Sequence, residues 1–119
     1  MITGLRGATI WSENVNNLLP FYRDVLGLPV ALQNDGFVVL GEVGKPTLAL
    51  GTHSEVHGRN ADPARHMVAL TTDGVDADCT RLKAAGVQFV EDPTDYGGLR
   101  IATLRDPEGN LVQLLQPRT

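Results

Sequence analysis

An internal repeat constrains this chain more than any other feature, because the order strand, helix, three strands is written twice within 119 residues. In the first pass residues 5–11 read as a strand, and Ser12-Glu13-Asn14 supplies polar cap residues. Val15, Leu18, Leu19, Tyr22, Val25 and Leu26 then recur at helical spacing until Gly27 stops the run. Pro20 removes a backbone donor inside that stretch, so a bend or a late start of the regular helix is expected. Extended segments follow at 29–33, 36–40 and 47–51, separated by the turn signals Asn34-Asp35-Gly36 and Val43-Gly44-Lys45-Pro46. The second pass runs from a strand at 67–72 through a helix opened by Asp73-Gly74 and closed by Gly86, with Val75, Cys79 and Leu82 as its buried stripe. Its three strands fall at 87–91, 99–104 and 111–116. Superposed, the halves pair Gly7 with Met67 and Ala49 with Gln113.

A helix with one apolar stripe must lie on one face of its sheet. The expected fold class is therefore α+β: two βαβββ modules, whose eight strands make a cup-shaped mixed sheet with the helices on its outer face. The chain is expected to be a single domain, 1–119, made of a module 1–51, an exposed linker 52–65 and a module 66–119. Strand alternation puts Ala8, Ile10, Val68 and Leu70 under the helices. The hollow is then lined by Gly7, Thr9, Trp11, Met67, Ala69 and Thr71, by Thr47, Ala49, Gly51 and His53, and by Leu111, Gln113 and Leu115.

Composition narrows the partners. Hydrophobic residues make up 42% and charged residues 20%, as in an ordinary globular domain. No apolar run, Phe37 to Leu40 included, approaches the roughly 18 residues a membrane span needs. No secretory signal is read at the amino terminus, so the expected compartment is the cytoplasm. A net charge of −4 with scattered Lys and Arg argues against nucleic acid as a partner. The lone Cys79 reads as core packing.

Two stretches carry a family resemblance that covers essentially the whole chain. Residues 19–28, Leu-Pro-Phe-Tyr-Arg-Asp-Val-Leu-Gly-Leu, resemble the FYxxxLG signature of vicinal oxygen chelate proteins, the superfamily of glyoxalases, bleomycin-resistance proteins and ring-cleaving dioxygenases. Residues 106–114, Asp-Pro-Glu-Gly-Asn-Leu-Val-Gln-Leu, resemble their closing DPxGNxxEL motif. The resemblance implies paired modules and a homodimer with cavities at or near its interface. It also implies a divalent metal held by His and Glu at four places, which here are Gly7, Ala49, Met67 and Gln113. Two of these have no donor, a thioether suits hard ions poorly and a neutral amide binds weakly. No metal and no cofactor are therefore expected. His66, next to Met67, enters the hollow only through a one-residue shift of register; His53 and His57 read as loop histidines.

Other chemistry has little support. No nucleophile elbow is present, no catalytic residue is identified, and Gly97-Gly98 reads as a hairpin turn. Trp11, on the hollow's parity, either stacks on a ligand ring or fills the core beside Phe37 and Val39. Tyr96 and Phe37 are the available second aromatics, and Arg100 provides either a polar contact in the hollow or an outward salt bridge. The expected function is metal-independent binding of a small molecule, aromatic or cationic, as in sequestration of a drug or metabolite by antibiotic-resistance relatives. The alternatives are a divalent-metal-dependent lyase or dioxygenase with an unconventional ligand set including His66 and Gln113, and a metal-free isomerase-like enzyme.

Overall fold

The strands are β1 (Gly7–Ser12), β2 (Val30–Asn34), β3 (Phe37–Leu40), β4 (Thr47–Thr52), β5 (Met67–Thr71), β6 (Phe89–Tyr96), β7 (Leu99–Arg105) and β8 (Leu111–Pro117), with one regular helix, α1 (Val75–Ala84). The structure, a computed structural model, describes residues 1–118. Two compact units divide it, Met1–Gly58 and the chain from Arg59 onward. Each holds one four-stranded mixed sheet, in the orders β1-β4-β3-β2 and β5-β8-β7-β6. In both sheets the first strand runs parallel to the last, and the remaining pairs are antiparallel hairpins. This is the α+β, βαβββ arrangement that the repeat implies.

The repeat extends to register and to helix capping. Gly7 lies opposite Thr47 and Thr9 opposite Ala49, while Met67 lies opposite Leu111 and Ala69 opposite Gln113. In each unit a side chain from the last strand satisfies the first orphan N–H of the helical segment. Val15 N–H donates to Thr52 Oγ1 at 3.0 Å, and Val75 N–H donates to Gln116 Oε1 at 2.9 Å.

Between β1 and β2 the structure departs from the expected single helix. A 3-10 turn (Val15–Asn17) leads into a π-helix (Pro20–Val25). Proline at position 20 cannot donate to the preceding turn, and the chain resumes one bond wider, with Leu26 N–H donating to the Phe21 carbonyl at 2.8 Å. The wider winding buries two adjacent aromatics: Phe21 joins Tyr22, their rings edge to face at 5.1 Å. Helix α1 follows its sequence more closely, with Val75, Cys79 and Leu82 all buried against the Leu104, Val112 and Leu114 side of its sheet.

Strand β6 runs to Tyr96, five residues beyond the expected end. The register shifts between Glu91 and Thr94, so Pro93 sits in a bulge of an edge strand where no ladder donor is needed. Before β5, residues 59–62 are exposed and bonded to the turn between β7 and β8. Asn60 N–H donates to the Glu108 carbonyl at 3.0 Å and Arg59 Nη1 to that of Pro107 at 3.0 Å. The turn itself is organised by buried Asp106, whose carboxylate accepts from the Glu108 and Asn110 N–H groups and from Asn110 Nδ2.

Candidate functional site: the open face of each sheet

In each unit the helical segment covers one side of the sheet, and the other side collects the residues that strand alternation assigns to a hollow. In the first unit these form two cross-strand rows, Thr9–Ala49–Val39–Leu32 and Trp11–Gly51–Phe37–Asn34, with Gly7–Thr47 beyond them. In the second unit the corresponding rows are Ala69–Gln113–Thr103–Glu91 and Thr71–Leu115–Ile101–Thr94, with Met67–Leu111–Arg105 beyond. The expected lining residues Gly7, Thr9, Trp11, Phe37 and Ala49 thus share one open face. Met67, Ala69, Leu111, Gln113 and Leu115 share the other.

Trp11 is 44% exposed, so it is not a core residue. It lies across Gly51, where an added Cβ would come within 2.4 Å of Trp11 Cζ3 and 3.0 Å of Phe37 Cδ1. The indole is 6.0 Å from the Phe37 ring and meets His53 edge to face at 5.4 Å. His53 is therefore part of an aromatic cluster, and its Nδ1 accepts from Glu55 N–H. The same face carries a groove of about 560 Å³, lined by Leu32, Val39 and Thr47, by the lead-in residues 3–6 and by the turn 43–46.

The second face is more polar. The β6 bulge brings Glu91 and Tyr96 to the same side, and the Tyr96 hydroxyl donates to Glu91 Oε1 at 2.6 Å. That bond holds the phenol pKa above its ordinary 10.0. Gln113 is half-buried between Ala69 and Thr103.

Arg100, one of the expected lining residues, belongs to the other side. It lies opposite Gln116, on the parity that faces α1, and pairs with Asp76 at 2.9 Å and Asp95 at 2.9 Å. Those bonds raise the guanidinium pKa and lower that of Asp76. Arg105, half-buried on the Gln113 face, has no signal in the sequence that marks it as a site residue, and the bond of Glu91 to Tyr96 has none either. The parity of β6, an edge strand with two register shifts, cannot be read from alternation alone.

The four places where the family resemblance puts metal ligands do not fit a metal. At Gly7 the obstacle is steric as well as chemical: a Cβ there would sit 2.1 Å from the Thr47 carbonyl oxygen, so no ligating side chain enters without moving β1 from β4. Ala49 has no donor, Met67 offers a thioether and Gln113 a neutral amide. Among the described residues, His66 is exposed at the end of the 3-10 turn Pro63–Arg65, and His57 is an exposed loop residue 3.9 Å from Glu13. Cys79 is buried under α1, and burial first and then Asp78 push its thiol up to about 11, so it is no nucleophile at neutral pH.

Comparison with known proteins places this geometry. Residues 5–114 match the model of the Glyoxalase/Bleomycin resistance protein/Dioxygenase superfamily. Among solved structures, TnmS3, an antibiotic binding protein from Streptomyces sp. CB03234, is 25% identical, with a TM-score of 0.75 over 98% of this chain and 97% of that one. A superfamily member from Sphaerobacter thermophilus DSM 20745 is also 25% identical, with a TM-score of 0.74 over 98% of each chain. A glyoxalase/dioxygenase from Nostoc punctiforme shares the fold at 13% identity, with a TM-score of 0.80 over 98% of this chain and 92% of that one. Among curated protein sequences none matches.

Proposed function

This chain belongs to the Glyoxalase/Bleomycin resistance protein/Dioxygenase superfamily, and from that premise we propose that it is a metal-independent binding protein for a small planar molecule. The observation that carries the reading is the donor-poor ligand set: Gly7, Ala49, Met67 and Gln113 stand where His and Glu are required, and a side chain at Gly7 would force β1 to shift against β4. What the open faces do offer is contact surface. The half-exposed indole of Trp11, backed by Phe37 and His53, presents an aromatic wall; further along the same face, lined by other residues, a groove of about 560 Å³ falls in the size range of small-molecule sites. The antibiotic-binding activity of TnmS3 supports sequestration as the biological use.

Binding with no chemistry accords with the missing acid-base machinery. Glu91, the carboxylate on the second open face, is already engaged by Tyr96. Assembly as a homodimer belongs to the same proposal, since the edge strands β1 and β2 end their sheet with unpaired ladder groups. The placement in one cytoplasmic domain is likewise proposed; among the described residues no helix is long and apolar enough to cross a membrane.

The test is a fluorescence screen of planar natural products and aromatic metabolites in the presence of a chelator. A true ligand should shift the Trp11 emission, and Trp11→Ala should weaken it by roughly tenfold, since stacking and lost contact area together amount to somewhat more than 1 kcal/mol. Binding that appears only after a divalent metal is added would overturn the reading in favour of a metal-dependent lyase or dioxygenase.

A further inference from the structure

Resting on the reading of this chain as a small-molecule binding protein, we propose that the open face of the second unit by itself binds an organic carboxylate, through Arg105 with Gln113 beside it. The register fixes the position: Arg105 lies opposite Leu111, and Leu111 opposite Met67, on the side of β7 and β8 that carries Thr103 and Gln113. It is half-buried there.

What singles it out is the absence of a partner. The chain has ten Lys and Arg residues. Arg23, Lys45, Arg65, Lys83, Arg100 and Arg118 pair with carboxylates, Arg59 donates to the Pro107 carbonyl, and Arg81 is also engaged. Among the described residues only Arg6 and Arg105 are left, and Arg6 is exposed ahead of β1. Among the described residues the Gln113 side-chain amide has no hydrogen-bond partner either.

A carboxylate is nevertheless within reach. Glu91 lies opposite Thr103, one strand across and two residues along from Arg105, which puts the two Cα atoms about 8 Å apart at ordinary sheet spacings. The pair does not form. Glu91 instead accepts from Tyr96, which sits on the side away from Arg105. The open face thus presents one charge already satisfied and one that is free. A fork of guanidinium N–H donors, half withdrawn from water, matches the two oxygens of a carboxylate. The chain's net charge of −4 favours cations only at long range. At contact the free guanidinium decides, so the expectation of a cationic ligand gives way to an anionic one.

Three probes that share one ring and differ in charge test this: 2-naphthoate, 2-naphthalenemethanol and 2-naphthylmethylammonium, titrated at neutral pH and followed by amide chemical shifts. Naphthoate should bind about tenfold tighter than the alcohol, the advantage typical of a charge-assisted, bidentate contact, and the ammonium should bind weakest. Arg105→Gln should remove the advantage, and Arg105→Lys should keep part of it. Because Arg105 makes no side-chain bond, neither change should alter the circular dichroism or the thermal midpoint. Naphthoate binding no tighter than the alcohol, or an advantage that survives Arg105→Gln, would overturn the anionic assignment and leave the binding reading standing. If none of the three moves any amide signal, both fall together.

Discussion

The two units share topology, register and helix capping, yet their open faces have diverged. Where the first carries Leu32, Val39 and Ala49 in one row, the second carries Glu91, Thr103 and Gln113. Where the first has Trp11, Gly51 and Phe37, the second has Thr71, Leu115 and Ile101. One duplicated scaffold has thus acquired an aromatic face in its first unit and a polar face in its second. Positions that the scaffold needs are kept in both halves; positions that only the ligand needs are free to differ.

The sharpest test of this contrast compares Gly7 with its counterpart Met67. Gly7→Ala drives a Cβ to 2.1 Å from a backbone carbonyl that cannot rotate away, and a loss on the order of 3 kcal/mol is expected from such overpacking. Met67, 40% exposed, should tolerate alanine with a change under about 0.5 kcal/mol. Denaturant melts of the two variants check this, and equal losses would break the contrast.

The turn preceding the last strand should show a comparable asymmetry. Asp106 accepts three hydrogen bonds in a buried site, so Asp106→Ala should cost roughly 2–3 kcal/mol. In the first unit the corresponding turn is exposed and closed by the Lys45–Glu42 pair at 3.0 Å, so Lys45→Ala should cost less than about 0.5 kcal/mol.

A smaller, local effect is expected at Gly51. Alanine there meets the rim of a half-exposed indole that can tilt, so a cost of about 1 kcal/mol should be accompanied by a changed Trp11 emission. Unchanged emission would show that Trp11 does not rest on Gly51.

The smallest effects concern titration, and both arise in the second unit. The Cys79 thiol is raised from an ordinary 9.0 to about 11, chiefly by burial. A raised folded value contributes stability that is present below 9.0 and lost as pH climbs toward 11. Native protein should therefore resist thiol alkylation near pH 8, and Cys79→Ala should flatten the alkaline decline. Asp76 moves the other way, lowered by its bond to Arg100. Its contribution is present above the ordinary 3.8 and lost as pH falls through the lower folded value, and Arg100→Gln should abolish that acid-limb dependence. Since Asp76 is exposed, the effect on the midpoint should be slight.

Much of this was legible in the sequence. The repeat, the strand parities of β1, β4, β5 and β8, and the donor-poor ligand positions follow from apolar spacing and residue type alone, because a one-residue slip would turn the apolar set under the helix out to solvent. The hairpin of β6 and β7 was not legible. The strand expected at 87–91 continues to Tyr96 through a bulge at Asp92-Pro93, and that bulge decides that Glu91 and Tyr96 share a face. Arg100 and Arg105 are five residues apart on one strand and face opposite ways, one toward Asp76 and the other toward Gln113. Only the register assigns each to its side. Likewise Pro20 signals an interruption without saying whether the chain tightens or widens after it.

The most direct test of metal independence is calorimetric titration of chelator-treated protein with Zn²⁺, Ni²⁺, Mn²⁺ and Fe²⁺, run alongside binding of a planar probe. The expected result is no saturable uptake near one equivalent per chain and an affinity for the probe that metal leaves unchanged. One equivalent of tightly held metal, lost in Gln113→Ala or His66→Ala and required for the probe to bind, would contradict it.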